Sequence, residues 1–286
     1  MIEKIKEFFN REDTRAKFTE ILNGRANSYI ASFLQILESK EGLQLASITS
    51  LFNAAIAGAT IDLPLNTGLN YAYITADTDD KNGLVYASFN VGWRGFVQLA
   101  LRTEMYKSIN VSDVREGELK SRDRLTGDYE FKWVQDEKKR NALPVIGHVA
   151  HFSLMSGFAK SNYRSIEEIK AHGQKYSKEY GKEGSKWDLD FEQMANKTVI
   201  KELLRTYGVM STALKMAVIA DQALINNIVG DNITPTYPDN PIKKESEKTP
   251  AEKTKTAIEN RHKAAVNSQK KVIESLTTKN RKPAKK

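Results

Sequence analysis

From Gly42 to Ile61 not one residue carries a charge, and a run of that length constrains the fold more than any other feature of the chain. It is either a membrane span or a segment sealed inside a protein core. Gln44, Ser47, Thr49, Ser50, Asn53 and Thr60 interrupt it with polar groups that a bilayer interior leaves unsatisfied. A buried helix is therefore expected, and it demands a body large enough to enclose it. The 286 residues, 40% of them hydrophobic, supply one. The first residues, Met1-Ile2-Glu3-Lys4-Ile5-Lys6, lack the continuous apolar core of a secretory signal, so a cytoplasmic protein with no membrane partner is expected. With no cysteine, disulfides, cysteine-bound metals and thiol nucleophiles are excluded.

The net charge of +8 invites a nucleic-acid reading, but its distribution weakens that argument. Residues 231–286 hold 14 Lys and Arg against 7 Asp and Glu, which leaves 30 basic and 29 acidic residues in the first 230. The body is nearly neutral, so any anion site must come from basic side chains gathered on particular faces. Pro235, Pro238 and Pro241, followed by Lys243, Lys244, Glu245 and Glu247, mark a boundary. We expect a core over 1–230, a Pro/Lys/Glu linker over 231–250 and a basic tail over 251–286. Ile258, Ala265 and Val272 recur every seven residues in that tail, a sparse helical signal, so it is read as partly helical or disordered.

Within the body, Ile2, Ile5 and Phe8/Phe9 recur at helical spacing, as do Tyr29, Ile30, Phe33, Leu34 and Leu37 after a cap at Asn27 or Ser28. From Tyr71 the period changes to two, and Asn82-Gly83 predicts the turn of a hairpin that continues through Val85, Ala87, Phe89 and Val91. Further strands are expected at Lys107–Arg115, Tyr129–Trp133 and Val145–Leu154. Ser165 and Glu168 have the spacing of a capping box, and a longer helix runs from about Asp190 to Tyr207, with Gly208 as a left-handed stop. Helices, then a strand-rich middle carrying an inserted helix, then helices again predict an α+β fold with an antiparallel sheet.

Two of these helices have polar faces of interest. On Gly92–Glu104, the apolar Trp93, Phe96, Val97, Leu99, Ala100 and Leu101 cover a broad face, leaving Arg94, Gln98 and Arg102 as a stripe at four-residue spacing. Gly92 and Gly95 beside it permit close approach by another chain or a ligand. On the later helix, Lys197, Lys201 and Arg205 repeat the spacing, bordered by Met194 and Thr198. Three cations in a row repel unless an anion faces them. Either these are ordinary solvated faces, or they are rows matched to a polynucleotide backbone.

Catalytic chemistry finds no foothold. Gly181-Lys182-Glu183-Gly184-Ser185-Lys186 has the letters of a phosphate-binding loop at the wrong spacing. Asp77, Asp79 and Asp80 begin like a calcium loop, but Lys81 and Asn82 fall where a ligand and a glycine are needed. His148 and His151 are an odd number apart on an expected strand and so face opposite ways. Glu168 is committed to capping, which leaves Glu167 a poor partner for a metal nuclease. No cofactor, metal site or enzyme activity is expected.

Three blocks carry a resemblance. Ile61-Asp62-Leu63-Pro64-Leu65-Asn66 leads into Tyr71-Ala72-Tyr73; Phe89 through Arg102 continues through Tyr106-Lys107-Ser108-Ile109-Asn110-Val111 to Glu118; and Trp187 with Phe191 precedes Met194-Ala195-Asn196-Lys197-Thr198-Val199 and Leu203-Leu204. In order and spacing these resemble the RecT family of phage single-strand annealing proteins across roughly residues 45–220. The longer acidic segment 77–83 departs from that family's pattern.

The resemblance implies an ATP-independent recombinase in a bacterial host, phage or prophage encoded. Such a protein binds single-stranded DNA, oligomerises as a ring or filament and anneals complementary strands, beside a phage exonuclease and host single-strand-binding protein. It places Arg94, Gln98, Arg102, Lys107, Arg115, Lys197, Thr198, Lys201 and Arg205 in a DNA groove, six of which the helical stripes select independently. A coating module without annealing activity is the alternative; a nuclease and a structural phage protein are further rivals.

Overall fold

The computed structural model describes residues 1–65, 68–78, 83–221, 223–229 and 232–236, the last thirteen positions from Leu224 to Thr236 by backbone alone where described. The chain divides into two units, Met1–Pro241 and Ile242–Lys286, and all described residues belong to the first. The basic tail with its seven-residue repeat, most of the linker, and the Asp79–Asn82 turn lie outside the described residues.

Five helices open the fold: α1 (Ile2–Asn10), α2 (Glu12–Leu22), α3 (Ala26–Ser39), α4 (Glu41–Gln44) and α5 (Ile48–Ile61). Ile5, Phe9, Phe18 and Phe33 are fully buried between the first three, with the Phe9 and Phe33 rings 4.8 Å apart. No side chain caps α3, contrary to the expected Asn27 or Ser28. A single 3-10 turn, Asn23–Arg25, carries the chain directly into it, so there is no break for a cap to close.

The uncharged run does form a buried helix. Leu51, Ala54, Ala55, Ala57, Ala59 and Ile61 of α5 are all but sealed from solvent, and Ser47 caps the helix by accepting from Ser50 N. Its polar residues serve the packing: the Ser50 hydroxyl accepts from Ala87 N at 2.9 Å, joining α5 to the strand beside it. Gly58 is required there, since a Cβ would lie 2.3 Å from the Tyr29 hydroxyl and 3.0 Å from the Phe89 ring.

The expected hairpin is present. β1 (Ala72–Thr78) pairs antiparallel with β2 (Val85–Val91), from Ala72 opposite Val91 to Thr78 opposite Val85. Next come α6 (Trp93–Leu101), β3 (Tyr106–Arg115), β4 (Leu119–Arg122), β5 (Tyr129–Phe131), α7 (Glu137–Asn141), β6 (Val145–Leu154) and β7 (Ala159–Ser165). β3, β6 and β7 form an antiparallel sheet in that order. α8 (Ile166–Tyr176), opened by the Ser165/Glu168 capping box, leads to α9 (Lys186–Leu189), α10 (Phe191–Tyr207) and α11 (Thr212–Ala220). The described chain closes with a hairpin of β8 (Leu224–Val229) and β9 (Asn232–Thr236), which straddles the expected boundary at residue 230. The fold is α+β, with helices packed on antiparallel sheets.

Four local readings are corrected. α6 stops at Leu101 rather than Glu104, which takes a positive φ of 58° as the chain turns into β3. Tyr129–Trp133 contributes a strand only to Phe131, paired with β4 in a separate ribbon. Strands β4, β7, β8 and β9 are further elements, and in β4 and β7 polar residues hide the two-residue period. Gly208 does end α10, but in extended backbone with φ -75°. Its lack of a side chain answers a different need, since a Cβ would lie 2.6 Å from Leu204 O and 2.9 Å from the Tyr106 hydroxyl.

Candidate nucleic-acid interface

α10 is the element on which the basic residues converge. It lies against β6 and β7 on one side and α6 on another, and buries Val199, Ile200, Leu203 and Leu204. The Trp93 indole NH on α6 donates to Gln193 Oε1 at 2.5 Å, pinning the start of one helix to the start of the other. The two stripes read from the sequence therefore ride on neighbouring helices.

Their charges meet different fates. On α10, an anion faces Lys197 and Lys201, and it is the chain's own. Asp221, just past α11, sits between them with its side chain fully buried, 2.8 Å from Lys197 Nζ and 2.6 Å from Lys201 Nζ. It also accepts from Val91 N at 3.0 Å, so one carboxylate ties α10 to β2. The lysine pair holds the Asp221 carboxyl below the ordinary carboxylate range against the opposing pull of burial. Burial pushes Lys201 down, with Lys197 adding to that effect and Asp221 opposing it. Lys197 is 7% exposed, while Lys201 keeps a quarter of its side chain open and lies 5.9 Å from the centre of the Phe96 ring. Arg205 is exposed at the end of the row, and Thr198 returns its hydroxyl to Met194 O.

On α6, Arg94 is exposed with its guanidinium over the Trp93 ring at 5.3 Å, and Gln98 is half-buried. Arg102 donates to Asp62 O at 2.9 Å and shares the Asp62 carboxylate with Arg25. Lys107 on β3 is exposed. Arg115 points into a separate cluster, 2.6 Å from Asp113 and donating to Leu143 O. The two glycines expected to admit a ligand instead admit this chain: a Cβ on Gly92 would lie 2.2 Å from Asn70 O, and on Gly95 2.1 Å from Tyr71 O. Trp93 and Met194 are half-buried, and Tyr106 is buried with its hydroxyl accepting from Val209 N.

Asp221 is the residue that sequence reasoning missed. It lies 24 and 20 positions from its two lysines, and no local pattern marks it. The histidines face opposite ways as expected: His148 is buried with Nδ1 2.8 Å from Asn196 Oδ1, and His151 is exposed beside Ser161. Among the described residues no group of three His, Cys, Asp or Glu is placed to hold a metal ion, and no helix is long and apolar enough to cross a membrane.

The chain is similar in sequence to known proteins. A model of the RecT family matches residues 27–238. An uncharacterized protein of Bacillus subtilis strain 168, YqaK, is 35% identical over 245 residues, which cover 83% of this chain and 80% of that protein. Protein RecT of Escherichia coli strain K12 is 25% identical over 184 residues, covering 60% of this chain and 62% of that protein.

Proposed function

The chain belongs to the RecT family, and from that membership we propose that it binds single-stranded DNA, assembles on it and anneals complementary strands in homologous recombination without ATP. The single observation that carries the reading is the family match over residues 27–238, which spans both basic helices and the sheet between them. Its setting is the cytoplasm of a bacterial host, beside a phage exonuclease and the host single-strand-binding protein.

Annealing asks a protein to hold phosphates while leaving base edges free, because base pairing must itself read the sequence. Exposed cations on rigid helices suit that task. In this reading Arg94, Lys107 and Arg205 meet phosphates directly, with Gln98, Arg102 and Thr198 beside them. Lys201 offers a partly open ammonium whose position Asp221 and Lys197 fix from behind, and Arg115 supports the strand that carries Lys107. Matched bases gain about 1.4 kcal/mol per stacked step, so a few consecutive matches hold while mismatched encounters dissociate. A body with 30 basic and 29 acidic residues also lets subunits stack along a strand with little mutual repulsion.

The test is annealing of two complementary fluorescent oligonucleotides, without ATP, over a salt series. Wild type is expected to accelerate pairing. The Arg94→Ala/Lys107→Ala/Arg205→Ala variant is expected to lose activity and to flatten the dependence of log affinity on log salt by about 0.7 per contact removed. A wild-type protein that binds the strands but slows their pairing is a coating module, and the annealing reading then fails.

A further inference from the structure

The ribbon of β4 and β5 stands apart from the main sheet and ends in a tip that is built rather than loose. At the turn, Asp123 Oδ1 accepts from Leu125 N at 2.7 Å and from Thr126 N at 3.2 Å. Gly127 N donates to Asp123 O, and Asp123 N to Asp128 O, each at 2.9 Å. Gly127 supplies the positive φ of 70° that closes the loop. Behind it, the buried Lys160 of β7 donates to Thr126 O and pairs with Asp128 at 2.9 Å. The shaft is stiffened by an aromatic stack, with Tyr129 and Phe131 6.1 Å apart, Phe131 and Trp133 5.0 Å apart, and Arg122 and Arg140 over the two ends.

At the summit of this turn Leu125 is 95% exposed, more than any other large hydrophobic residue among those described. The turn uses only its backbone NH, so folding does not call for leucine there. The ribbon carries Lys120, Arg122, Arg124 and Lys132 against Asp123, Asp128 and Glu130, a small excess of positive charge. Each carboxylate of the ribbon is occupied: Asp123 by the turn, Asp128 by Lys160, and Glu130 by the Ser121 hydroxyl at 3.0 Å. Lys120, Arg124 and Lys132 are exposed and carry no ion-pair partner among the described residues. An apolar point on a rigid arm, with Arg124 beside it and Lys120 and Lys132 toward the base of the ribbon, matches a polyanion whose interior is apolar.

We propose that Leu125 is a wedge that enters between neighbouring bases of a bound single strand, with Arg124 meeting an adjacent phosphate and Lys120 and Lys132 meeting phosphates further along the strand. This rests on the DNA-binding reading above and adds to it the group that separates bases. Apolar side chains inserted at base steps unstack them. Opening the stack at intervals would extend the strand and expose base edges to an incoming complement.

The test uses single strands carrying 2-aminopurine, whose fluorescence rises when it unstacks, titrated with full-length wild type, Leu125→Ala and, as a control, Leu189→Ala. Leu189 is another exposed leucine, on α9 rather than on the ribbon. Strand affinity is followed in parallel by anisotropy, and oligomeric state by mass photometry. Wild type and Leu189→Ala are expected to raise the fluorescence. Leu125→Ala should bind with similar affinity while leaving the signal near that of the free strand. An undiminished signal from bound Leu125→Ala overturns the wedge and leaves the DNA-binding reading standing. A Leu125→Ala variant that loses self-association but keeps the signal assigns the tip to a second copy of the chain and also overturns it. Wild type that fails to bind single strands overturns both readings.

Discussion

Two clusters of buried charge hold this molecule together, and they are built on opposite principles. At the base of the β4–β5 ribbon, two carboxylates meet two guanidiniums. Fully buried Glu118 accepts from Arg140 Nε at 2.9 Å and from the backbone NH groups of Arg115 and Val134, while Asp113 pairs with Arg140 and Arg115. Between α10 and β2, one carboxylate, Asp221, serves two ammonium groups. The first cluster is balanced and locks a ribbon to its strand. The second carries one positive charge in excess, with a quarter of the Lys201 side chain open to solvent. A basic residue inside a matched motif can therefore belong to either kind, and its neighbours decide which.

The comparison is broken most directly at Asp221. Asp221→Ala leaves Lys197 buried without a counter-charge beside a second lysine, and Val91 N without its acceptor. A loss of about 3–5 kcal/mol is expected in urea unfolding, the range for orphaning a buried ion-pair partner. Glu118→Gln keeps an acceptor oxygen and leaves Arg140 its second partner, Asp113. A smaller loss of about 2 kcal/mol is expected by the same measurement. If the two variants cost the same, excess charge is not what distinguishes the clusters.

An acid titration sharpens the picture at the neighbour of the balanced cluster. His148 lies opposite Asp113 on the paired strand, with Asn196 on its ring and Glu192 and Arg115 within electrostatic reach. Burial, with Arg115 adding to it, outweighs Asn196, Asp113 and Glu192 and pushes its pKa below the ordinary 6.5. The unfolded chain then takes up the proton more readily than the folded one. Stability should fall as pH drops through 6.5 and go on falling until the folded pKa is passed. His148→Gln, which keeps a partner for Asn196, should remove that part of the slope in urea midpoints measured between about pH 5 and 8. The smallest stability effects belong to the exposed cations. Arg94→Ala and Arg205→Ala should each shift thermal stability by under about 0.5 kcal/mol. A larger shift would place them with the structural charges instead.

Much of the fold was legible because it rests on neighbours in sequence. The period-two alternation through Phe89 and Val91 found β2, and the Ser165/Glu168 spacing found the start of α8. β7 escaped because Lys160, Asn162 and Arg164 turn toward partners on other elements, so its inward positions are polar. Gly92, Gly95 and Gly208 were visible as special, but what approaches them was not, since Asn70, Tyr71 and Tyr106 arrive from elsewhere in the fold. The basic stripes were found as stripes. That Arg102 is held by Asp62 and two lysines by Asp221 was hidden, because each partner is brought in by folding, whereas Asp113 lies only two residues from Arg115 on the same strand.

The sequence by itself determined the α+β order, the burial of the uncharged helix and the membership of the RecT family. Hydrophobic period, turn chemistry and motif spacing all act through residues close together along the chain. Only the tertiary structure decided which cations are paired inside the fold and which stay exposed. The energy of a charge depends on distance and on access to water, and both are set by segments far apart in sequence that the fold brings within 3 Å of each other.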